Sequence, residues 1–180
     1  AKQIALSVLS QLTLLHSLDH PIIHNGINPH HVMLDLKVQP TEAKLVGFDH
    51  ARFLSLLPTR GWIESPFYQA PERFNGVCSV QTDLYSVGAL LYQMIFGLQP
   101  WFIDLSHYKQ EEQIPALLQQ RQKPLVIPSM DIFELDDALI NIITKALSNH
   151  VDARFQTAEE FSKALKGEII IQKVQTSQAV

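Results

Sequence analysis

The 180 residues carry 46% hydrophobic and only 18% charged side chains, with 14 basic against 18 acidic residues and a formal net charge of -4. That is single-domain size with ample material for a core; no Lys/Arg run points to nucleic acid or an anionic membrane surface, and no apolar run reaches the ~18 residues of a membrane span. The one cysteine, Cys78, can form no internal disulfide, which fits a reducing, cytoplasmic setting.

In chain order, Ile4, Val8, Leu9, Leu12 and Leu15 recur at spacings of three and four, so residues 2–17 read as a helix with one buried face, stopped before Pro21. Val32 to Leu36 and Lys44 to Val46 are short apolar runs flanking Gln39-Pro40-Thr41-Glu42, the pattern of a small hairpin. Arg52 to Pro66, interrupted by Pro58, Gly61 and Pro66, reads as a loop. Gln81 to Phe96 is apolar on nearly all sides, through Leu84, Val87, Leu90, Leu91, Met94 and Ile95, with Gly97 as its stop. A helix of that kind belongs in the middle of a core. A more polar helix follows at Glu111 to Gln122, an amphipathic one at Leu135 to Leu147, and a last one at Ala158 to Leu165. Thr157 and Glu160 have the spacing of a capping box at the start of that last helix. Glu168-Ile169-Ile170-Ile171 is strand-like, and residues 168–180 read as a tail or linker. The expected fold class is α+β, predominantly α-helical, with one small β-hairpin.

Five segments carry more than periodicity. Ile22 to Leu34 reads Ile-Ile-His-Asn-Gly-Ile-Asn-Pro-His-His-Val-Met-Leu; then come Lys44-Leu45-Val46-Gly47-Phe48-Asp49-His50-Ala51-Arg52, Tyr68-Gln69-Ala70-Pro71-Glu72, Thr82-Asp83-Leu84-Tyr85-Ser86-Val87-Gly88 and Asp152-Ala153-Arg154-Phe155. In this order they resemble the landmarks of the Ser/Thr protein kinase superfamily. The first is similar to the catalytic loop His-Arg-Asp-x-Lys-Pro-x-Asn and the second to the Asp-Phe-Gly strand and loop. The others match the Ala-Pro-Glu that closes the activation segment, the start of the central helix and the Arg before the last helix. The resemblance runs from His16 to Leu165 and implies a kinase C-terminal lobe over residues 1–167, with the hairpin beneath the cleft. The family's Gly-rich loop, strand Lys, its Glu partner and the hinge come earlier. They cannot fit before Ala1, and no Gly-x-Gly-x-x-Gly occurs. The N-terminal lobe is therefore expected outside this chain, in a longer multidomain protein.

The resemblance also shows what has changed. Aligned on His24 and Pro29, Gly26 stands at the catalytic Asp, Asn28 at the phosphate-contacting Lys and His31 at the magnesium-holding Asn, while Gly47 replaces the first residue of Asp-Phe-Gly. Glycine accepts no proton from a hydroxyl, and two metal ligands are lost, read here as independent losses. Residues that shape the lobe remain. His24, Phe48 and Asp83 hold the positions of one structural column, Met33, Leu90 and Met94 those of a second beneath the adenine, and Glu72 and Arg154 those of a buried pair. The resemblance thus implies a degenerate kinase (pseudokinase) with no catalytic residue and no Mg-ATP cofactor.

Other readings stay open. Asp49 could be a relocated metal ligand and Met33 an adenine contact, although a lone carboxylate holds magnesium poorly. His31, Asp49 and His50, with His30 beside them, could bind a transition metal, but adjacent histidines seldom point the same way, and solvated cleft-edge histidines are the plainer reading. Taken alone, His24 would be a core histidine satisfied by a local hydrogen bond, and Glu72 and Arg154 surface charges. Ser55, Thr59 and Ser65 could be phosphorylated, with Asn25 standing where the family's catalytic-loop Arg would meet the phosphate. Val32, Met33 and Leu34 are expected to face the roof of the adenine pocket. Three functions follow. The first is a noncatalytic binding or regulatory module, partnered by its own N-terminal lobe, further domains or another protein, with neither nucleic acid nor membrane. The second is a residual or atypical ATP-dependent Ser/Thr kinase, or another transferase on that fold, and the third is a histidine-based metal-binding module.

Overall fold

The structure, a computed structural model, describes residues 1–39, 41–54, 63–128 and 136–172. Among them are five α-helices and two two-stranded antiparallel sheets, joined by short 3-10 turns. No helix among the described residues is long and apolar enough to cross a membrane.

Helix α1 (Lys2–His16) buries Ala5, Val8, Leu9 and Leu12. Strand β1 (Ile22–Ile23) follows, then a 3-10 turn over Pro29–His31 that leads into β2 (Val32–Asp35). β2 pairs with β3 (Glu42–Leu45) in the register Val32 to Leu45, Met33 to Lys44 and Leu34 to Ala43. Gln11 of α1 clamps β3: its Nε2 donates to the Ala43 carbonyl at 2.8 Å and its Oε1 accepts from the Leu45 N–H at 2.9 Å. The edge of the hairpin is satisfied by a side chain where a third strand would otherwise be needed.

Arg52 and Phe53 depart from the expected loop by forming β4, paired antiparallel with β1 as Ile22 to Phe53 and Ile23 to Arg52. Two-residue strands carry no periodicity to read, and this pair exists because the tertiary fold brings the two segments together. Pro58, Gly61, Ser55 and Thr59 lie outside the described residues.

The central helix α2 (Val80–Phe96) is buried without interruption from Thr82 to Tyr92 and ends on Gly97 in the left-handed conformation. Its start is a reciprocal cap between Ser79 and Thr82, a signal that the sequence reading passed over. Gly88 lets α4 approach: a Cβ there would lie 2.7 Å from the Ala146 Cβ. Helices α3 (Gln110–Gln120), α4 (Asp137–Ala146) and α5 (Ala158–Lys166) complete the set. α3 accommodates Pro115 in its interior; α4 is capped by Asp136, whose side chain accepts from the Ala138 N–H, and the Leu135 expected to open it lies outside the described residues.

Two local expectations are corrected. Thr157 does cap α5, accepting from the Glu160 N–H at 3.0 Å, but the Glu160 carboxylate accepts from the N–H of Gln156 rather than from that of Thr157, so the box is not closed. Residues 168–172 form no strand. Ile169 and Ile171 pack against the core while Ile170 is 89% exposed, and the Asn141 amide donates to the Ile171 carbonyl. The alternation is that of an extended segment lying on helices, with no strand edge to pair with. The remainder of the tail, 173–180, lies outside the described residues.

Candidate functional site

Asp83, fully buried at the start of α2, organises the loop between β1 and the Pro29 turn. Its Oδ2 accepts from the His24 N–H at 2.8 Å and its Oδ1 from the Asn25 N–H at 2.9 Å. His16, at the end of α1, adds a third contact, with Nε2 3.0 Å from Oδ2. Sequence reasoning missed His16, because nothing local marks a helix-terminal histidine as the partner of a residue so far along the chain. With two backbone N–H groups on its carboxylate, Asp83 fixes the loop's shape and lets Asn25 hold a positive φ of 60°, a conformation asparagine tolerates better than most residues.

The His24 ring is held at both ends. Nε2 lies 2.9 Å from the Val46 carbonyl and Nδ1 3.2 Å from the Gly26 N–H, so the neutral ring with its proton on Nε2 satisfies both. Burial pushes its pKa below the usual imidazole value, against an opposing pull from Asp83. Phe48 packs against it with the rings tilted by 59° and their centroids 4.7 Å apart. His24, Phe48 and Asp83 therefore form one connected column, whose Phe48 end is 45% exposed.

The four positions that differ from a working kinase loop lie together. Gly26 offers only backbone: its carbonyl accepts from the His31 Nδ1 at 2.6 Å and from the Asn28 Nδ2 at 3.0 Å. Asn28 is buried and turned inward, with Oδ1 accepting from the His30 N–H at 2.8 Å, and it caps the Pro29 turn rather than projecting into the cleft. His30 is exposed while His31 is partly buried, so the adjacent pair points in different directions.

Gly47 has φ +75°, and a Cβ on it would fall 2.5 Å from Cγ and 2.6 Å from Nε2 of His31, closer still to Cδ2. The imidazole thus fills the volume into which a side chain at position 47 would project. This corrects the expectation of two independent losses: given the His31 ring in this place, only glycine fits at 47.

His31 and His50 converge on a residue that the sequence analysis did not single out. The Nε2 atoms of the two rings lie 3.7 and 3.9 Å from the same oxygen, Oε2 of Glu64. No short-range pattern could have joined Glu64 to His31, since the two are far apart along the chain and meet only in the tertiary structure. Asp49 is exposed and makes no hydrogen bond or ion pair with the described residues. Among the described residues, no group of three or more His, Cys, Asp or Glu side chains is placed to hold a metal ion.

The second column takes a different course from the one expected. Val32 and Leu34 turn toward Leu90 and Met94, and together with Ile4, Pro29 and Gln93 line a cavity of about 350 Å³. Met33, which alternates with them along β2, lies on the opposite face beside Lys44 and is 61% exposed. Adjacent strand residues point to opposite faces, so Val32, Met33 and Leu34 cannot share one.

Farther from the loop, Arg154 is fully buried and grips Glu72 with both ends of its guanidinium, at 2.7 and 2.9 Å, while its Nε donates to the Ser148 carbonyl. It also lies over the Tyr85 ring. A second buried guanidinium, Arg121, was not anticipated. It donates to the carbonyls of Gln69, Pro66 and Phe67 and so fixes the segment before Pro71. Burial lowers its pKa, partly countered by Tyr85 and Glu72.

Against known proteins, the family model described as protein kinase domain matches residues 1–165. A probable serine/threonine-protein kinase PknB of Lactococcus lactis is 28% identical over 170 residues, covering 89% of this chain and 24% of that protein. A probable serine/threonine-protein kinase of Streptomyces coelicolor is 30% identical over 151 residues, covering 77% and 20%. The chain therefore spans about a quarter of the length of the curated relatives it matches. Among solved structures, the PK-1 kinase of Cydia pomonella granulovirus superposes with a TM-score of 0.71 over 91% of this chain and 56% of that one, at 18% identity, a likeness that speaks for the fold alone. With the loops, the central helix and the Glu72–Arg154 pair in the order the family model requires, the chain belongs to the protein kinase domain family.

Proposed function

We propose that this chain is a noncatalytic kinase-like domain, corresponding to the C-terminal lobe, that serves as a binding or regulatory module within a longer protein. One observation carries the reading: the His31 ring occupies the space of a side chain at position 47. In a working kinase these two positions supply the carboxylate and the amide that hold magnesium. The residues here do not fit that ion, because one ligand is absent and an imidazole fills its place. Gly26 brings no base to a substrate hydroxyl, and Asn28 is committed to the loop's own backbone. Met33, Leu36 and Phe48 are exposed apolar side chains, and their exposure supports a cover from another segment of the same protein.

The second reading, an atypical ATP-dependent Ser/Thr kinase with Asp49 as metal ligand, is favoured by the names of the relatives. Radiolabelled ATP with magnesium, supplied to the full-length protein containing this chain, separates the two. No incorporation into the protein or generic substrates is expected. Incorporation abolished by Asp49→Ala would overturn the proposal; incorporation indifferent to that change, and equally to deletion of the domain, belongs to a contaminant and leaves the domain without transfer activity.

A further inference from the structure

We propose that Arg121 and Gln69 form a latch that couples the end of α3 to the loop carrying His24 and Asn25, so that a contact made on α3 is felt at the cleft. α3 buries Leu117 alone, and Arg121, four residues on and only 1% exposed, is the second anchor of that face. Its Nη1 donates to the Gln69 carbonyl at 2.6 Å, and its Nη2 to those of Pro66 and Phe67 at 2.7 and 3.2 Å. Asn149 closes the seat, its Nδ2 donating to the Arg121 carbonyl at 2.7 Å. The Gln69 side chain, itself 3% exposed, donates from Nε2 to the Asn25 carbonyl at 3.2 Å. Gln69 is thus gripped by Arg121 through its main chain and grips Asn25 through its side chain.

Two features make this a latch rather than a fixed strut. Among the described residues no carboxylate forms an ion pair with Arg121, since Arg154 holds Glu72 with both ends of its own guanidinium. A buried guanidinium satisfied only by carbonyls cannot stay inside once they withdraw. It is either seated on all three or carried out to solvent with the end of α3, whose next residues, Gln122 and Lys123, are already exposed. At the far end, Asn25 holds a positive φ of 60°, a conformation that persists only where its neighbours over-determine it. The Asp83 carboxylate on its N–H and Gln69 on its carbonyl are two of those supports. Release of Gln69 therefore loosens a strained residue. No step involves phosphate transfer, so the latch stands or falls separately from the noncatalytic reading.

The test is amide hydrogen exchange, followed by mass spectrometry, on the full-length protein containing this chain, read at residues 24–28, at 66–70 and, as the control, in α5. Arg121→Lys, which keeps the charge and loses the planar fork, should raise exchange about tenfold or more at both 66–70 and 24–28 and leave α5 unchanged. In a Gln69→Leu background the same change should raise 66–70 alone. Asn149→Ala, which frees the Arg121 carbonyl without touching the guanidinium, should give the first pattern at smaller amplitude, and it decides the matter where Arg121→Lys loosens the whole fold. Unchanged exchange, a rise at 66–70 without one at 24–28, or a rise at 24–28 that persists in the Gln69→Leu background overturns the latch. So does a uniform rise in Asn149→Ala that includes α5, which would make Arg121 a support of the fold and nothing more.

Discussion

The imidazole of His31 rests against the α-carbon of Gly47, in the space a side chain at 47 would need. Two substitutions that look separate along the chain are one packing arrangement. Restoring a carboxylate at 47 alone would force the ring out or the backbone apart.

This coupling is measurable by a double-mutant cycle. Gly47→Ala should cost about 1–3 kcal/mol of overpacking, in addition to roughly 1 kcal/mol for a side chain in the left-handed conformation. In a His31→Ala background only the second cost should remain. Equal destabilisation in both backgrounds, measured by urea melts, would show that the ring and the glycine do not depend on each other.

Arg154 offers the sharpest stability contrast. Its guanidinium is fully buried and bidentate on Glu72, and removing one member of a buried pair typically costs ~3–5 kcal/mol. Lys166→Ala, at an exposed residue ending α5, should stay within about 0.5 kcal/mol. Melts that place the two variants together would remove the pair from the fold's supports.

His24 predicts a pH dependence with a definite sign. Burial depresses its folded-state pKa, so below the unfolded value of ~6.5 the unfolded chain takes up a proton that the folded one refuses. Its contribution is present above that pH and is lost as pH falls toward the depressed value, at up to ~1.4 kcal/mol per pH unit. The His24 ring resonances should titrate with a midpoint below 6.5; a midpoint above it reverses the sign and the claim.

Met33 and Leu90 separate the two faces of β2. Met33→Lys, on the exposed face, should leave the melting point nearly unchanged and reduce any self-association seen by sedimentation. Leu90→Lys, which buries a charge in the central helix, should unfold the chain. A steep loss of stability in Met33→Lys would place that side chain in the core.

Much of this was legible because it is local or periodic. The burial of α2 follows from apolar residues on every side, and its end from Gly97. The motif order, from the His24 loop to Arg154, gave the family and so the pairing of Glu72 with Arg154, which no spacing argument alone could have joined. The absence of a base at Gly26 needs only the residue's identity.

Tertiary structure decided what depends on distant segments meeting. Strand β4 exists only because Arg52 and Phe53 come to lie beside β1, and Ile169 to Ile171 form no strand because they lie on helices with no edge to pair. Met33 lies on an exposed face, as its expected place at the open top of the lobe requires; the difference is in Val32 and Leu34, which the pleat turns the other way, so three consecutive strand residues do not make one surface. Above all, the identity of residues 31 and 47 is written in the chain, but their interdependence is a matter of volume: a ring and a Cβ cannot share one space, and sequence carries no record of which atoms compete for it.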